Sequence, residues 1–562
     1  MPSEAITGNG HRGKKVLPPR NVTGEEIIHP INPASYKYPS THAIGPGDSI
    51  GFTTYDYGTN GSANHNVINY GDGALSIGRM AAQQPGITPP DRATWFSHST
   101  DRGMTWQPFS RVEWFRTGWS NIDQLRAPIA GGIEVTVAHS GLRVNVDVAR
   151  GAGSWVPATT GSTVGSYWPK LATGGDLNIH IIGGESSPPT GVVYTRSTDA
   201  GFSFNPVDLH VLGSHIPISD AWDVASKENK VVIVSCGQRA GTDLVMQVST
   251  DNGNTWTQST VYDVAGPGEL PTGRHQPQPD GSCAVIMDNA GTIHVTWGNF
   301  MAVGDSLSNP QLYYSFDGGI MHWSSATDVI TLISTAPVQA DTIAGEPGAP
   351  GRDGNFATQP DIAVDANNNL YVVFSALIAE FDSSSKPYEH VFASMSSDGG
   401  LTWGSVVDIT PGSGFDAAFP SLADFVDTHL YLVYNSDPLA GNSIHNNHPE
   451  NRTAIMFLKV PVTDLVDVKE GGKVPVSYAL DQNYPNPFNP STRIQYTVPK
   501  RSGVELVVYD VLGQEVASLV NEYRNAGTYE HLFSAEDLPS GVYFYTLRAG
   551  SFLQTRKMIL LK

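Results

Sequence analysis

One phrase, S-x-D-x-G-x-T-W, recurs down the chain at residues 99–106, 249–256 and 396–403. Two looser copies join it: residues 197–204 end in Phe, and residues 315–323 hold one extra residue before their Trp. A phrase repeated at intervals of tens of residues means that one supersecondary unit is built again and again, each burying its neighbour's face. The residue types describe a tight hairpin. Asp accepts from turn amides, Gly takes a left-handed backbone, Ser or Thr caps the turn, and the aromatic folds back between sheets. Asp101 with Trp106, Asp199 with Phe204, Asp251 with Trp256, Asp317 with Trp323 and Asp398 with Trp403 are therefore expected to be structural.

The phrase resembles the Asp-box, or bacterial neuraminidase repeat, of sialidase-type β-propellers. The resemblance implies an all-β ring of four-stranded blades, with box turns between third and fourth strands, on the face away from the ligand. The boxes also act as a ruler. The interval from Trp106 to Phe204 is about twice that from Phe204 to Trp256, and Gly151-Ala-Gly153-Ser-Trp155 lies midway as a degenerate copy, giving six box-bearing modules. A seventh set of strand-like segments, at 419–424, 430–434 and 454–460, carries no box, and residues 50–56 are placed to complete it. Seven blades are expected, with six as the rival count. Such a closure ties the ends of the ring and removes an exposed edge. Alternating apolar residues around Asp, Asn and Gly at 286–297 and 362–374 read as hairpins. The spacing Asp365-x-Asn367-x-Asn369 invites a structural calcium, but it aligns with the turn at Asp288 to Gly291, so a turn is expected and no cofactor.

From Leu480 the style changes. Asn483-Tyr-Pro-Asn486-Pro-Phe488-Asn-Pro490 leads into period-two strands divided by Gly and Pro turns, which describe a small immunoglobulin-like β-sandwich. This tail resembles the type A C-terminal sorting domain of type IX secretion, found in Bacteroidetes and their relatives. The resemblance implies a partner, the type IX machinery, engaged through residues 477–562. It also implies passage from the periplasm across the outer membrane, then release or surface attachment. The expected organisation is an extended arm at 1–44, the propeller at 45–467, a linker at 468–476 and the sorting domain at 477–562.

Charge narrows the partners. From Val474 onward, 8 basic residues balance 8 acidic ones, so the whole net charge of -21 sits on the larger region. Such a field repels nucleic acid and anionic membrane and leaves glycans and cations as admissible partners. No apolar run is long enough to cross a bilayer, and the opening residues lack the apolar core of a signal peptide, so that signal is read as removed or absent from this sequence. Cys236 and Cys283, the only cysteines, fall in consecutive modules; a bridge and two free thiols both remain open.

Chemistry is expected in the long loops at 264–281, 336–358 and 377–390, away from the box turns. The sialidase resemblance implies an arginine trio for a substrate carboxylate, a Tyr and Glu pair and an Asp acid/base. Arg126, Arg274 and Arg352 are the candidate cations, Glu269, Glu346 and Asp353 the candidate acids, and Tyr55 and Tyr57 lie near the first strand. The family's Arg-Ile-Pro segment is missing before the first box, so the first clamp arginine has no position here. Trp168, Gln359 and Phe419 each precede a proline at the start of an innermost strand, with Trp222 in a similar register. These are expected to ring the channel mouth, where packing between blades is the first account of them and stacking on sugar rings the rival; His275, beside Arg274, is a further candidate for ligand contact. Non-catalytic recognition of a glycan or surface ligand is the leading function. An exo-acting glycoside hydrolase of sialidase type is the alternative, and a structural surface-layer role the third.

Overall fold

The computed structural model describes residues 45–561, apart from 127–131, 186–189, 214–219, 238–242, 265–274, 304–311, 336–356 and 466–477 and shorter gaps at 60, 87, 165–166, 385, 445–447, 449, 484, 499–501, 525–526, 536–537 and 550–551. It divides into two compact units, Met1–Asp467 and Val468–Lys562. The arm at 1–44 and the linker at 468–476 lie outside the described residues.

In the first unit the described strands form seven sheets of four antiparallel strands, the sixth carrying an extra parallel strand, Phe425–Val426. Val67–Asn69, Leu75–Ala81, Ala93–Ser99 and Ser110–Arg111 make the first blade, ordered from the inside outward. Successive innermost strands pack side by side, and His429–Asp437 of the seventh sheet meets Val67–Asn69 of the first, which closes the ring of this β-propeller. The seventh blade is completed from the other end of the chain. Asp48–Thr53 pairs with Thr453–Pro461, with Thr53 opposite Thr453 and Phe52 opposite Ala454, so no edge strand is left bare there.

Four boxes share one set of hydrogen bonds. Ser99 Oγ donates to Asp101 Oδ1 (2.8 Å) and accepts from the Gly103 amide (2.9 Å). Thr105 donates its amide to Oδ1 (2.8 Å) and its hydroxyl to Oδ2 (2.6 Å). The same pattern holds at Asp199, Asp251 and Asp398. The Thr255 donors pull the Asp251 carboxyl down to about 2. The three box tryptophans lean on the preceding blade: Trp106 on Phe457, Trp256 on Tyr194 and Trp403 on His322, with ring centroids 4.9, 5.0 and 5.2 Å apart. The box thus bolts one blade to the one before it.

Two box assignments change. At the degenerate copy the acid is Asp147, which ends its strand and accepts from the amides of Val148, Gly153 and Ser154 at 2.8, 2.7 and 2.9 Å. Trp155 then meets Phe96 edge-on at 5.1 Å. Replacing Asp147 by Ala strands these amides and should lower stability by about 2 kcal/mol, measured by urea unfolding; an unchanged midpoint would deny it the turn-closing role. Residues 315–323 are no box at all. They lie inside the strand Leu312–Ser324, where a register slip leaves 315–318 bulged, and the turn between third and fourth strands comes later, with Trp323 Nε1 donating to Asp328 Oδ1 (2.9 Å). Asp317 is therefore a strand residue, and the six box-bearing modules become four boxes and one degenerate copy among the described residues.

Asp365 closes a turn, taking the amides of Asn367 (2.8 Å) and Asn369 (2.9 Å) on Oδ1 and the Asn369 side chain on Oδ2 (2.8 Å). In the second unit, a three-stranded and a four-stranded sheet enclose a core that includes Phe488, Tyr496, Leu506 and Tyr545. Its opening motif is explained by what it grips. The Asn483 amide donates to Tyr545 Oη (2.7 Å), Asn486 Oδ1 accepts from the Ile559 amide (2.9 Å), and the Phe488 backbone pairs with Ile559 and Leu561.

Candidate functional site

The innermost strands all start at the end of the ring opposite the box turns, so side chains at those starts converge on the channel mouth. A left-handed residue recurs there: Trp119, Trp168, Gln359 and Phe419 have φ between 49° and 56°, each inside a register break of its inner strand. These breaks are β-bulges, which re-aim side chains at barrel and ring rims. In the fifth blade Gly281 (φ 97°) holds the same place, whereas Trp222 in the fourth follows a regular ladder.

The mouth is filled. Residues 53–66, from the end of the closing strand to the first blade, run across it with their described side chains almost entirely buried. Tyr57 meets Phe419 edge-on at 5.5 Å, and the Arg92 guanidinium lies over the rings of Tyr55 (4.8 Å) and Trp119 (5.2 Å). Trp119, Trp168 and Trp222 follow one another at 6.3 Å, and Trp222 Nε1 donates to the Trp168 carbonyl (3.1 Å). Of the two readings of these residues, burial favours packing over sugar stacking: Trp168, Trp222 and Phe419 are 0% exposed and Gln359 2%, with Tyr55 and Tyr57 of the chain's own segment in the same core cluster as the three aromatics. A cavity of about 20 Å³ remains beside Trp119 and Lys170, room for a single water.

The cations near the mouth are engaged by the protein itself. Arg79 donates to Asn435 Oδ1 (3.1 Å), Asn66 Oδ1 (3.3 Å) and the Phe419 carbonyl (2.9 Å); Lys170 Nζ donates to the Ser62 carbonyl (2.7 Å). Arg92 Nε donates to the Thr117 carbonyl (2.7 Å).

Below the segment lies a buried polar cluster that the sequence reading missed. His65 Nε2 meets Asp223 Oδ1 at 2.9 Å, and Asp223 Oδ2 accepts from Asn64 Nδ2 (2.8 Å) and the Val285 amide (2.9 Å). Burial disfavours a charged imidazole, but the Asp223 carboxylate overrides it and lifts His65 to about 10. Asp361 accepts from the Leu422 amide (2.8 Å), yet burial, aided by Asp424 and Asp223, raises it to about 7. The dyad acts as an internal counter-ion pair that pins the segment to the fourth blade.

Among the described residues one group could hold a metal: the ligand atoms of Asp56, Asp437 and His448 lie within 4.8 Å of one another. Protein donors already reach every carboxylate oxygen. Ser443 serves both oxygens of Asp56, while Asn451 and Thr453 serve those of Asp437, all between 2.7 and 3.0 Å. Burial raises Asp56 to about 6 even beside His448.

Of the candidate catalytic residues, Arg126 is exposed just beyond the end of the inner strand Gly118–Leu125, the end away from the mouth. Arg274, Glu269, Glu346, Arg352 and Asp353 lie outside the described residues, and of His275 only its place at the start of the strand His275–Met287 is described. Tyr55 and Tyr57 are brought to the mouth, as core. An aromatic that the sequence reading did not single out stands open instead. Trp114, in the connection between first and second blades at the mouth end, is 89% exposed, and the neighbouring Phe115 lies under the Arg143 guanidinium at 4.9 Å.

Residues 482–561 match the family model of a secretion system C-terminal sorting domain. No curated protein matches the chain. Among solved structures the chain is similar to a protein of unknown function from Dyadobacter fermentans, with 13% identity and a TM-score of 0.37, covering 74% of this chain and 100% of that one. It is also similar to a mutant NanB sialidase from Streptococcus pneumoniae, with 11% identity and a TM-score of 0.36, over 76% and 72% of the two chains. A third is a Trypanosoma rangeli sialidase in complex with the inhibitor DANA, with 9% identity and a TM-score of 0.37, over 90% and 88%.

Proposed function

We propose that this chain is an exported, surface-delivered binding protein whose propeller recognises a glycan or other surface ligand without turning it over. The observation that carries the reading is the filled mouth. A catalytic centre for glycoside cleavage needs paired acids and open space around the substrate, and here the central position is taken by residues 53–66, with Arg79 and Lys170 spent on protein acceptors. Recognition is accordingly assigned to connections around the rim, where Trp114 offers an indole face and Arg143 a nearby cation. The sorting-domain match at residues 482–561 supports the route, in which the tail is handled by the type IX machinery and the protein reaches the outer surface. No helix among the described residues is long and apolar enough to cross a membrane.

The test uses the full chain on a glycan array and on a panel of fluorogenic glycosides, sialosides included. Retention without turnover is expected, and Trp114→Ala should weaken retention at least tenfold with an unchanged melting midpoint. Turnover of any glycoside would overturn the binding reading in favour of an exo-acting hydrolase.

A further inference from the structure

The chain's only two cysteines are 47 positions apart and meet in the fold. Cys236 follows the strand Lys230–Ser235 of the fourth blade, with its amide on the Ala221 carbonyl (2.9 Å), and Cys283 lies in the inner strand His275–Met287 of the fifth, opposite Trp297. Both are buried in one apolar cluster with Val234, Val295 and Trp297, the strands Lys230–Ser235 and His275–Met287 pack on one another, and Cys283 adds to the upward push on the Cys236 thiol. Buried single cysteines need no partner, since a thiol packs as a small hydrophobe. This pair instead stands where a bridge would join consecutive blades.

We propose that Cys236 and Cys283 form an inter-blade disulfide in the exported protein, so that the pair is a covalent modification site and the thiol form is its precursor. The proposal rests on the export route read from the sorting domain, because disulfides persist in oxidising compartments and not in the cytosol. The oxidant is a disulfide of a thiol carrier. One cysteine thiolate attacks it, releasing the first carrier thiol and leaving a mixed disulfide. The second cysteine displaces the other carrier thiol, so two protein thiols are oxidised as one carrier disulfide is reduced to two thiols. With exposures of 0% and 3%, neither sulfur is open to a carrier once the blades have docked, and burial beside Cys283 pushes the Cys236 thiol well above its usual range. Exchange therefore precedes docking of the fourth blade on the fifth, and the folded dithiol resists oxidation.

The experiment unfolds the purified full chain in guanidinium and refolds it in a glutathione redox buffer or in reductant. Refolding with oxidised glutathione should give a chain about 2 Da lighter with no titratable thiol, and an unfolding midpoint about 5 °C above the reduced form. Glutathione added after reductive refolding should leave both thiols intact. Two titratable thiols after oxidative refolding would overturn the proposal. A second arm takes the full chain from its exporting host. A bridge there supports the proposal, whereas thiols there after successful bridging in vitro would overturn the export premise and leave the geometry standing.

Discussion

Gly400→Ala is expected to lower the stability of the propeller by about 3 kcal/mol or more, while Gly399→Ala, one residue earlier in the same box, costs about 1 kcal/mol or less. Both glycines have a left-handed backbone, at φ 85° and 73°. What separates them is the neighbour. A Cβ on Gly400 would lie 2.0 Å from His322 Cε1, whereas one on Gly399 meets nothing within 4 Å. His322 cannot yield, since it is buried, stacked on His294 with ring centroids 5.3 Å apart and covered by Trp403. The Gly399 position already tolerates side chains elsewhere: Arg102, Ala200 and Asn252 occupy it at φ 59°. The series extends to the other boxes. Gly253→Ala meets Tyr194 Oη at 2.0 Å and should match Gly400→Ala, while Gly201→Ala, 3.4 Å from Val146, should be milder. Urea unfolding of the four variants decides it, and equal losses at Gly399 and Gly400 would show that backbone strain alone sets the glycine.

The boxes were legible because their bonds are local: Ser, Asp, Gly and Thr within seven residues satisfy one another, so the phrase carries its own structure. The false copy at 315–323 shows what the letters leave out. Its fourth residue after Asp317 is Met321, which has no hydroxyl for the second carboxylate oxygen, and pairing with the strand Ile293–Val303 wins instead. At the degenerate copy an Asp stands in the Ser slot and closes the turn alone, a signal that was readable in Asp147 once the strand end was known. Closure by the first strand could be anticipated from a seventh set of strands lacking a member.

The mouth was not legible. Residues 53–66 read as an ordinary polar connection, and their partners lie about 160 to 390 positions away, at Asp220, Asp223, Phe419 and Ser443. Nothing in a local window shows that Trp168 and Trp222 will be covered by a segment some hundred residues upstream. The same long-range burial turns a histidine and an aspartate, unremarked in sequence, into a buried ion pair at the mouth.

Breaking that pair should be the most costly polar change. Asp223→Ala leaves a buried His65 with only the more distant Asp424, 4.0 Å away, as counter-ion and should destabilise the propeller by about 3 kcal/mol near neutral pH. Two amide donors, Asn64 Nδ2 and the Val285 amide, lose their acceptor at the same time. The pH dependence follows from the directions of the two shifts. His65 is raised from 6.5 to about 10, so the native state holds a proton that the unfolded chain gives up between those values. Its contribution is complete below pH 6.5 and is lost as pH rises through 10. Asp223 is lowered, so its contribution is present above pH 3.8 and lost as pH falls further. The pair is therefore strongest from about pH 4 to pH 6.5. His65→Asn removes the proton while leaving the other acids of the cluster, and the stability gap between wild type and this variant should shrink steadily from pH 6.5 to pH 10. Asp361, raised to about 7, works in the same direction below neutrality but is present in both proteins. A gap that stays constant across that range would mean that His65 is neutral in the folded protein and that the segment is held by packing alone.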